Sequence, residues 1–231
     1  MTKATPIVAL DVETMRAALA LIDELGDLCR FYKIGSELYS AEGPAVVRAV
    51  LERGGQVFLD LKFHDIPNTV RGAVRSAASL GARLLTVHAS GGDAMLRAAV
   101  EGAAAATSCE VLAVSVLTSL DAAALGAAWG RPIADVETEV VRLAELAAGA
   151  GVHGLVCSGR EAAAVRDRFE GRLMTVVPGV RLSGGDRQDQ ARVVTPRQAA
   201  EAGARYLVLG RAVTAAASPR AAMSEVLSDL S

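Results

Sequence analysis

The chain has 231 residues, of which 52% are apolar and only 3% aromatic, and its 24 basic and 26 acidic side chains nearly cancel. A near-neutral, aromatic-poor chain offers neither the basic surface nor the stacking platforms of a nucleic-acid binder. Three scattered cysteines, Cys29, Cys109 and Cys157, indicate neither a disulfide framework nor a structural zinc site. No apolar stretch approaches the roughly 18 residues of a membrane span. The start, MTKATPIVAL, lacks the apolar run of a signal peptide, so the expected setting is the reducing cytoplasm.

The first β-type run, PIVALD (6–11), ends in Asp11 and leads into the helix-type segment VETMRAALALIDELG (12–26). FYKIGS (31–36) carries Lys33, and GPAVVRAVLERGG (43–55) reads as helix. VFLDLKF (57–63) holds Asp60 and Lys62; LLTVHAS (84–90) ends in His88 and Ser90. Alanine is the best helix former, so EGAAAATS (101–108) is predicted helical. EVLAVSVLT (110–118) ends in Thr118. DVETEVVRLAELAAGAG (135–151) then places Val136, Val140, Leu143 and Ala147 on one helical stripe. GLVCS (154–158), MTVVPGVR (174–181) and YLVLGR (206–211) complete eight runs.

Continuous apolar runs suit strands covered on both faces. Strict alternation with helices implies a parallel sheet with right-handed crossovers. Eight such units in one chain of this length predict a single (β/α)8 TIM barrel over residues 1–231, with no Pro/Ser/Gly-rich linker dividing it. An open doubly wound sheet is the alternative, but the first run lacks its GxGxxG turn. Polar residues gather where the runs end, the face on which barrels build active sites. Loops begin there too, which accounts for Ser36, Ser90 and Ser158. It does not account for Lys33 and Lys62, because a lysine within a strand seldom points into a dry core.

FLDLKFHDIPNTV (58–70) is the most informative stretch. Strand residues two apart share a face, so Asp60 and Lys62 point one way and Leu59, Leu61 and Phe63 the other. Burying an ammonium is costly unless it is paired, and Asp60 is placed to pair it, with Lys33 extending the row. A salt bridge that merely stabilises the barrel mouth is the plainer alternative. Asp65 lies past the strand, before Pro67, which opens a helix; it can point elsewhere, including into another subunit. At the far end, PGVRLSGGDRQDQARVV (178–194) carries Arg181 and Gln190, and GRAVT (210–214) puts Gly210 and Arg211 at a helix start. That combination suits a phosphate, and SGGDRQDQ, in a loop of about 181–194, suits a closing lid. Ordinary solvated arginines are the alternative.

DLKFHDIPNTV (60–70) resembles the signature of bacterial-type orotidine 5′-phosphate decarboxylases. VALD (8–11), YKIG (32–35), VLTS (116–119), PGVR (178–181), DQARVVTPRQA (189–199) and YLVLGR (206–211) resemble further family blocks in family order, over nearly the whole chain. The spacing DxKxxDIPxT is specific; bare DxKxxD is shared with metal-dependent sugar-phosphate decarboxylases and aldolases of the same barrel superfamily. Leu182 and Ala212 stand where many bacterial members carry proline. The resemblance implies decarboxylation of orotidine 5′-monophosphate to uridine 5′-monophosphate without cofactor or metal, the final step of de novo pyrimidine nucleotide synthesis. It also implies a homodimer whose sites are completed across the interface. Lys62 becomes the general acid that protonates C6, Asp60 sits beside the departing carboxylate, and Lys33 holds the network and a ribose hydroxyl. Asp65 and Thr69 arrive from the partner, and Ile66 between them also contacts substrate. Asp11 binds ribose hydroxyls and Thr118 the pyrimidine. Arg181, Gln190, Gly210 and Arg211 hold the phosphate.

Two other readings compete. A Mg²⁺-dependent sugar-phosphate lyase needs another carboxylate facing Asp60, for which Glu37 is the candidate. A non-catalytic phosphate-binding barrel keeps Gly210–Arg211 but has no need of the Asp60–Lys62–Asp65 row. His88 reads as a hydrogen-bonded structural histidine, His153 as surface, and Trp129 as packing for the connection after the fifth run.

Overall fold

A computed structural model describes residues 4–104, 106, 108–182 and 194–231. Among them eight parallel strands form a closed barrel in sequence order. They are β1 (Thr5–Ala9), β2 (Phe31–Gly35), β3 (Gln56–Phe63), β4 (Leu84–His88), β5 (Glu110–Val114), β6 (Gly154–Val156), β7 (Met174–Val177) and β8 (Tyr206–Leu209). The first half of the helical layer is α1 (Met15–Leu25), α2 (Ser36–Glu42), α3 (Pro44–Glu52), α4 (Pro67–Ser79) and α5 (Asp93–Ala103). The second half is α6 (Ala122–Trp129), α7 (Val136–Gly149), α8 (Ala162–Phe169), α9 (Pro196–Glu201), α10 (Arg211–Thr214) and α11 (Pro219–Asp229). Pairing of β1 with both β2 and β8 closes the ring, so the chain is a (β/α)8 barrel and the open sheet is excluded.

Side-chain alternation divides the core in two. Ile7, Phe31, Phe58, Leu84, Leu112, Val176 and Tyr206 fill the barrel interior, and Phe31 meets Tyr206 edge-on with ring centroids 5.7 Å apart. Val8, Tyr32, Leu59, Leu85 and Val111, each one position away, pack outward against the helices. Burial of each large apolar side chain contributes about 1.5–3 kcal/mol, so register is firmly specified. Helix starts follow local chemistry. Thr14, Asp121, Asp135, Thr195 and Ser218 each accept a backbone N–H as cap, and Pro44, Pro67, Pro196 and Pro219 sit in the first turn.

The strands end earlier than the apolar runs. The fifth run was expected to reach Thr118, yet β5 stops at Val114, because Val116 and Leu117 spend their apolar surface on a cavity beyond the ladder. Asp11, Ser36, Ser90, Ser158, Arg181, Gly210 and Arg211 likewise follow the strands rather than end them. Among the described residues of the alanine-rich stretch, the helix extends to Ala103; the Cys109 N–H bonds back to the Ala106 carbonyl just before β5.

Candidate active site

At the C-terminal mouth, β2 and β3 bring their charges together. Lys62 Nζ donates to Asp60 Oδ2 at 2.8 Å. Lys33 Nζ donates to Asp11 Oδ1 at 2.8 Å and lies 3.8 Å from the same Asp60 oxygen. Asp60 is 9% exposed, a burial that a carboxylate tolerates only with partners. Its other oxygen, Oδ1, accepts the Thr86 hydroxyl at 2.8 Å. Gly35 leaves room for this arrangement: a Cβ there would stand 3.0 Å from Lys33 Nζ and 3.5 Å from Asp11 Oδ1.

The shared face of Asp60 and Lys62 does not come from simple alternation. The ladder to β4 runs Leu59↔Leu85 and resumes at Phe63↔Val87, four residues against two, so β3 bulges between them. Lys62 takes φ 48°, a left-handed conformation uncommon for a residue with a side chain. Its backbone N–H has left the ladder and donates to Thr86 Oγ1 at 2.9 Å. Leu59, Leu61 and Phe63 do pack outward as expected.

Beside the charges lies a cavity of about 190 Å³. Phe58, Val114, Val156, Val176 and Val208 give it apolar walls, and Lys33, Asp60, Lys62 and Thr118 also line it. Fixed ammoniums next to apolar walls stabilise negative charge that develops there, because little water competes. A second cavity of about 220 Å³, lined by residues such as Arg166, Thr175 and Arg205, has no acidic side chain in its wall.

On the opposite rim, Arg181 is buried, and its backbone N–H donates to the Val194 carbonyl at 3.0 Å. Gly210 caps the single-turn α10, which Arg211 opens, and a Cβ on Gly210 would lie 4.0 Å from Asp11 Oδ2. The ends of β8 and β1 therefore adjoin. Gln190 and most of the expected lid lie outside the described residues.

Within one chain the third acid does not join the cluster. Asp65, Ile66 and Thr69 are exposed, Ile66 at 68%, and Asp65 Oδ1 accepts the Ile66 N–H at 2.6 Å. Pro67 opens α4 as its fixed φ requires. Glu37 is exposed on α2, and Lys33 holds the place between Asp11 and Asp60 that a bridging cation would need. No group of three or more His, Cys, Asp or Glu side chains suited to a metal occurs among the described residues.

His153 is exposed and Trp129 packs the connection after β5, both as expected, whereas His88 differs. His88 ends β4 with its ring 5.5 Å from that of His64, a ring contact rather than the expected hydrogen bond. Burial, then the charges of His64 and Lys62, hold its pKa below the ordinary histidine value. His153 Nδ1 accepts the Val111 N–H. Trp129 ends α6 beneath the guanidinium groups of Arg131 and Arg142. Sequence reasoning missed Thr86, fully buried on β4. Its signal was parity: it follows inward-facing Leu84 by two.

Residues 5–226 match the model of the Orotidine 5′-phosphate decarboxylase / HUMPS family. An orotidine 5′-phosphate decarboxylase of Anaeromyxobacter sp. (strain K) is 52% identical over 96% of this chain and 96% of its own. That of Moorella thermoacetica is 49% identical over 97% of this chain and 91% of its own. The crystal structure of the Lactobacillus acidophilus orotidine 5′-phosphate decarboxylase superposes with a TM-score of 0.86 at 32% identity, covering 99% of both chains. Among the described residues no helix is long and apolar enough to cross a membrane. With Lys33, Asp60 and Lys62 gathered at the barrel mouth and relatives this similar along nearly their whole length, the chain belongs to the orotidine 5′-phosphate decarboxylase family.

Proposed function

We propose that the chain converts orotidine 5′-monophosphate to uridine 5′-monophosphate and CO₂ in pyrimidine nucleotide synthesis, without a cofactor. The observation that carries this reading is the placing of two ammoniums, Lys33 and Lys62, against one oxygen of Asp60 beside an apolar-walled cavity. Decarboxylation at C6 leaves an electron pair in the plane of the pyrimidine, where the ring's π system does not delocalise it. The protein has to supply positive charge instead. In this mechanism the C6–carboxylate bond breaks, its electrons stay on C6, and Lys62 Nζ gives C6 a proton; the resulting amine regains a proton from solvent. Asp60 lies beside the departing carboxylate and aims Lys62. Lys33 and Asp11 hold ribose hydroxyls, and Thr118 touches the base. Arg181, Gln190, Gly210 and Arg211 bind the phosphate, and the 181–194 loop closes over it to exclude water. Binding energy from that remote phosphate offsets strain at the reacting carbon.

The assay is the fall in the substrate's ultraviolet absorbance with a chelator present. The expected result is full turnover of orotidine 5′-monophosphate in chelator. A rate that collapses in chelator and returns with Mg²⁺ overturns the cofactor-free reading in favour of a metal-dependent lyase.

The exposed Asp65, Ile66 and Thr69 belong in this proposal to the site of a second subunit, in a cytoplasmic homodimer. Subunit mixing tests it. Lys62→Ala and Asp65→Ala are each expected to be nearly inactive. Equal amounts, unfolded and refolded together, recover roughly a quarter of wild-type activity, because half the dimers carry one intact site of two. No recovery would place Asp65 in its own subunit's site, and an active Asp65→Ala would place it outside the chemistry.

A further inference from the structure

We infer that Thr86 is a positioning residue for the decarboxylation site, setting the Lys62 backbone and the Asp60 carboxylate with one hydroxyl. This rests on the function proposed above and extends it to β4, which otherwise contributes no group to the chemistry.

The bulge in β3 carries a cost. Lys62 has left the β3–β4 ladder and sits at φ 48°, so its N–H has no strand carbonyl to meet. An unpaired buried N–H is expensive, and so is a left-handed lysine. Both are tolerated because Thr86 Oγ1, completely buried, accepts that N–H at 2.9 Å. A hydroxyl has one proton to give, and this one goes to Asp60 Oδ1 at 2.8 Å. The two bonds fix each other's direction: accepting from Lys62 leaves the proton free to turn to Asp60. With Oδ1 held, Oδ2 faces the two lysines, at 2.8 Å from Lys62 and 3.8 Å from Lys33. A buried hydrogen-bond chain of this kind is stronger than its separate parts.

The pair Thr86→Val and Thr86→Ser separates positioning from packing. Valine keeps the shape and loses both hydrogen bonds; serine keeps both and loses only the methyl. Positioning predicts that Thr86→Val lowers kcat roughly 10- to 100-fold. KM should stay within about threefold, because the phosphate is gripped elsewhere. Thr86→Ser should stay close to wild type. Packing predicts the reverse order, with serine the more damaging, and that order would overturn the inference.

Hydrogen exchange at the Lys62 amide reads the same bond without any substrate. Exchange should quicken in Thr86→Val and remain slow in Thr86→Ser; equal exchange in both overturns the inference as well. If Thr86→Val does not fold, Thr86→Cys takes its place. It differs from serine only in a poor donor and acceptor, and is expected to lose kcat relative to Thr86→Ser. Should wild type fail to decarboxylate orotidine 5′-monophosphate, the proposed function falls, while the exchange comparison still decides whether Thr86 holds Lys62.

Discussion

Lys62→Met is expected to leave a folded barrel that binds the nucleotide product normally and turns substrate over at least about ten-thousandfold more slowly. An ammonium about 3.5 Å from the charge developing on C6 is worth roughly 5 kcal/mol at an effective dielectric near 20. That alone is about three and a half decades in rate. Loss of the proton donor adds a factor on the order of a hundred. Methionine matches the lysine stem in length and stays apolar, and Asp60 keeps Lys33 at 3.8 Å and the Thr86 hydroxyl, so the variant is expected to fold at a cost of no more than about 2 kcal/mol. Single-turnover kinetics measure the chemical step, and calorimetry with uridine 5′-monophosphate measures binding. Near-normal turnover would remove Lys62 from the mechanism.

Asp60→Asn is expected to damage both stability and chemistry. The carboxylate is bonded by Lys62 and by the Thr86 hydroxyl, and Lys33 lies within ion-pair distance. Asparagine fills the space but gives no countercharge, leaving two ammoniums near an apolar wall with Asp11, bonded to Lys33, as their countercharge. Breaking a buried pair costs about 3–5 kcal/mol, and solvent access at Lys62 brings this to about 2 kcal/mol. The check is a denaturant midpoint with unchanged slope. The same ammoniums lose their aim at C6, and kcat falls on the order of a hundred- to a thousandfold. If repulsion between Asp60 and the substrate carboxylate also contributes, KM falls alongside kcat, because the variant no longer strains the bound substrate. An unchanged KM assigns Asp60 to aiming alone. An unchanged kcat refutes both roles.

What could be inferred before any coordinates divides along physical lines. Eight apolar runs alternating with helices predict the barrel, because burial on both faces of a strand is written in composition. Lys33, Asp60 and Lys62 stood out because charges inside such runs contradict burial, and a contradiction is visible in one dimension. Thr86 contradicts nothing. Threonine is at home in strands, and its importance arises only because Lys62 departs from strand geometry. No residue type announces that departure, since lysine is not a marker of left-handed backbone. Strand ends were overestimated for a related reason. Val116 and Leu117 line a cavity with the same apolar character that strands use for packing. The direction of Asp65 was left open by the sequence, and in a single chain Asp65, Ile66 and Thr69 remain exposed at the turn into α4.

The bridge that Lys33 makes between Asp11 and Asp60 also bears on how salt acts on this site. With Lys62 it completes, within one chain, a set of two cations and two anions, to which a partner's Asp65 would add only negative charge. Such a set draws in no counterions and offers an approaching dianionic phosphate little long-range attraction. In the function proposed, attraction is expected from the phosphate-binding side, where Arg181 and Arg211 lie, and mobile ions screen it over about 10 Å at moderate ionic strength. Raising the salt concentration is therefore expected to slow capture of the nucleotide. The step at C6, a few ångströms from a balanced cluster, proceeds at the same pace.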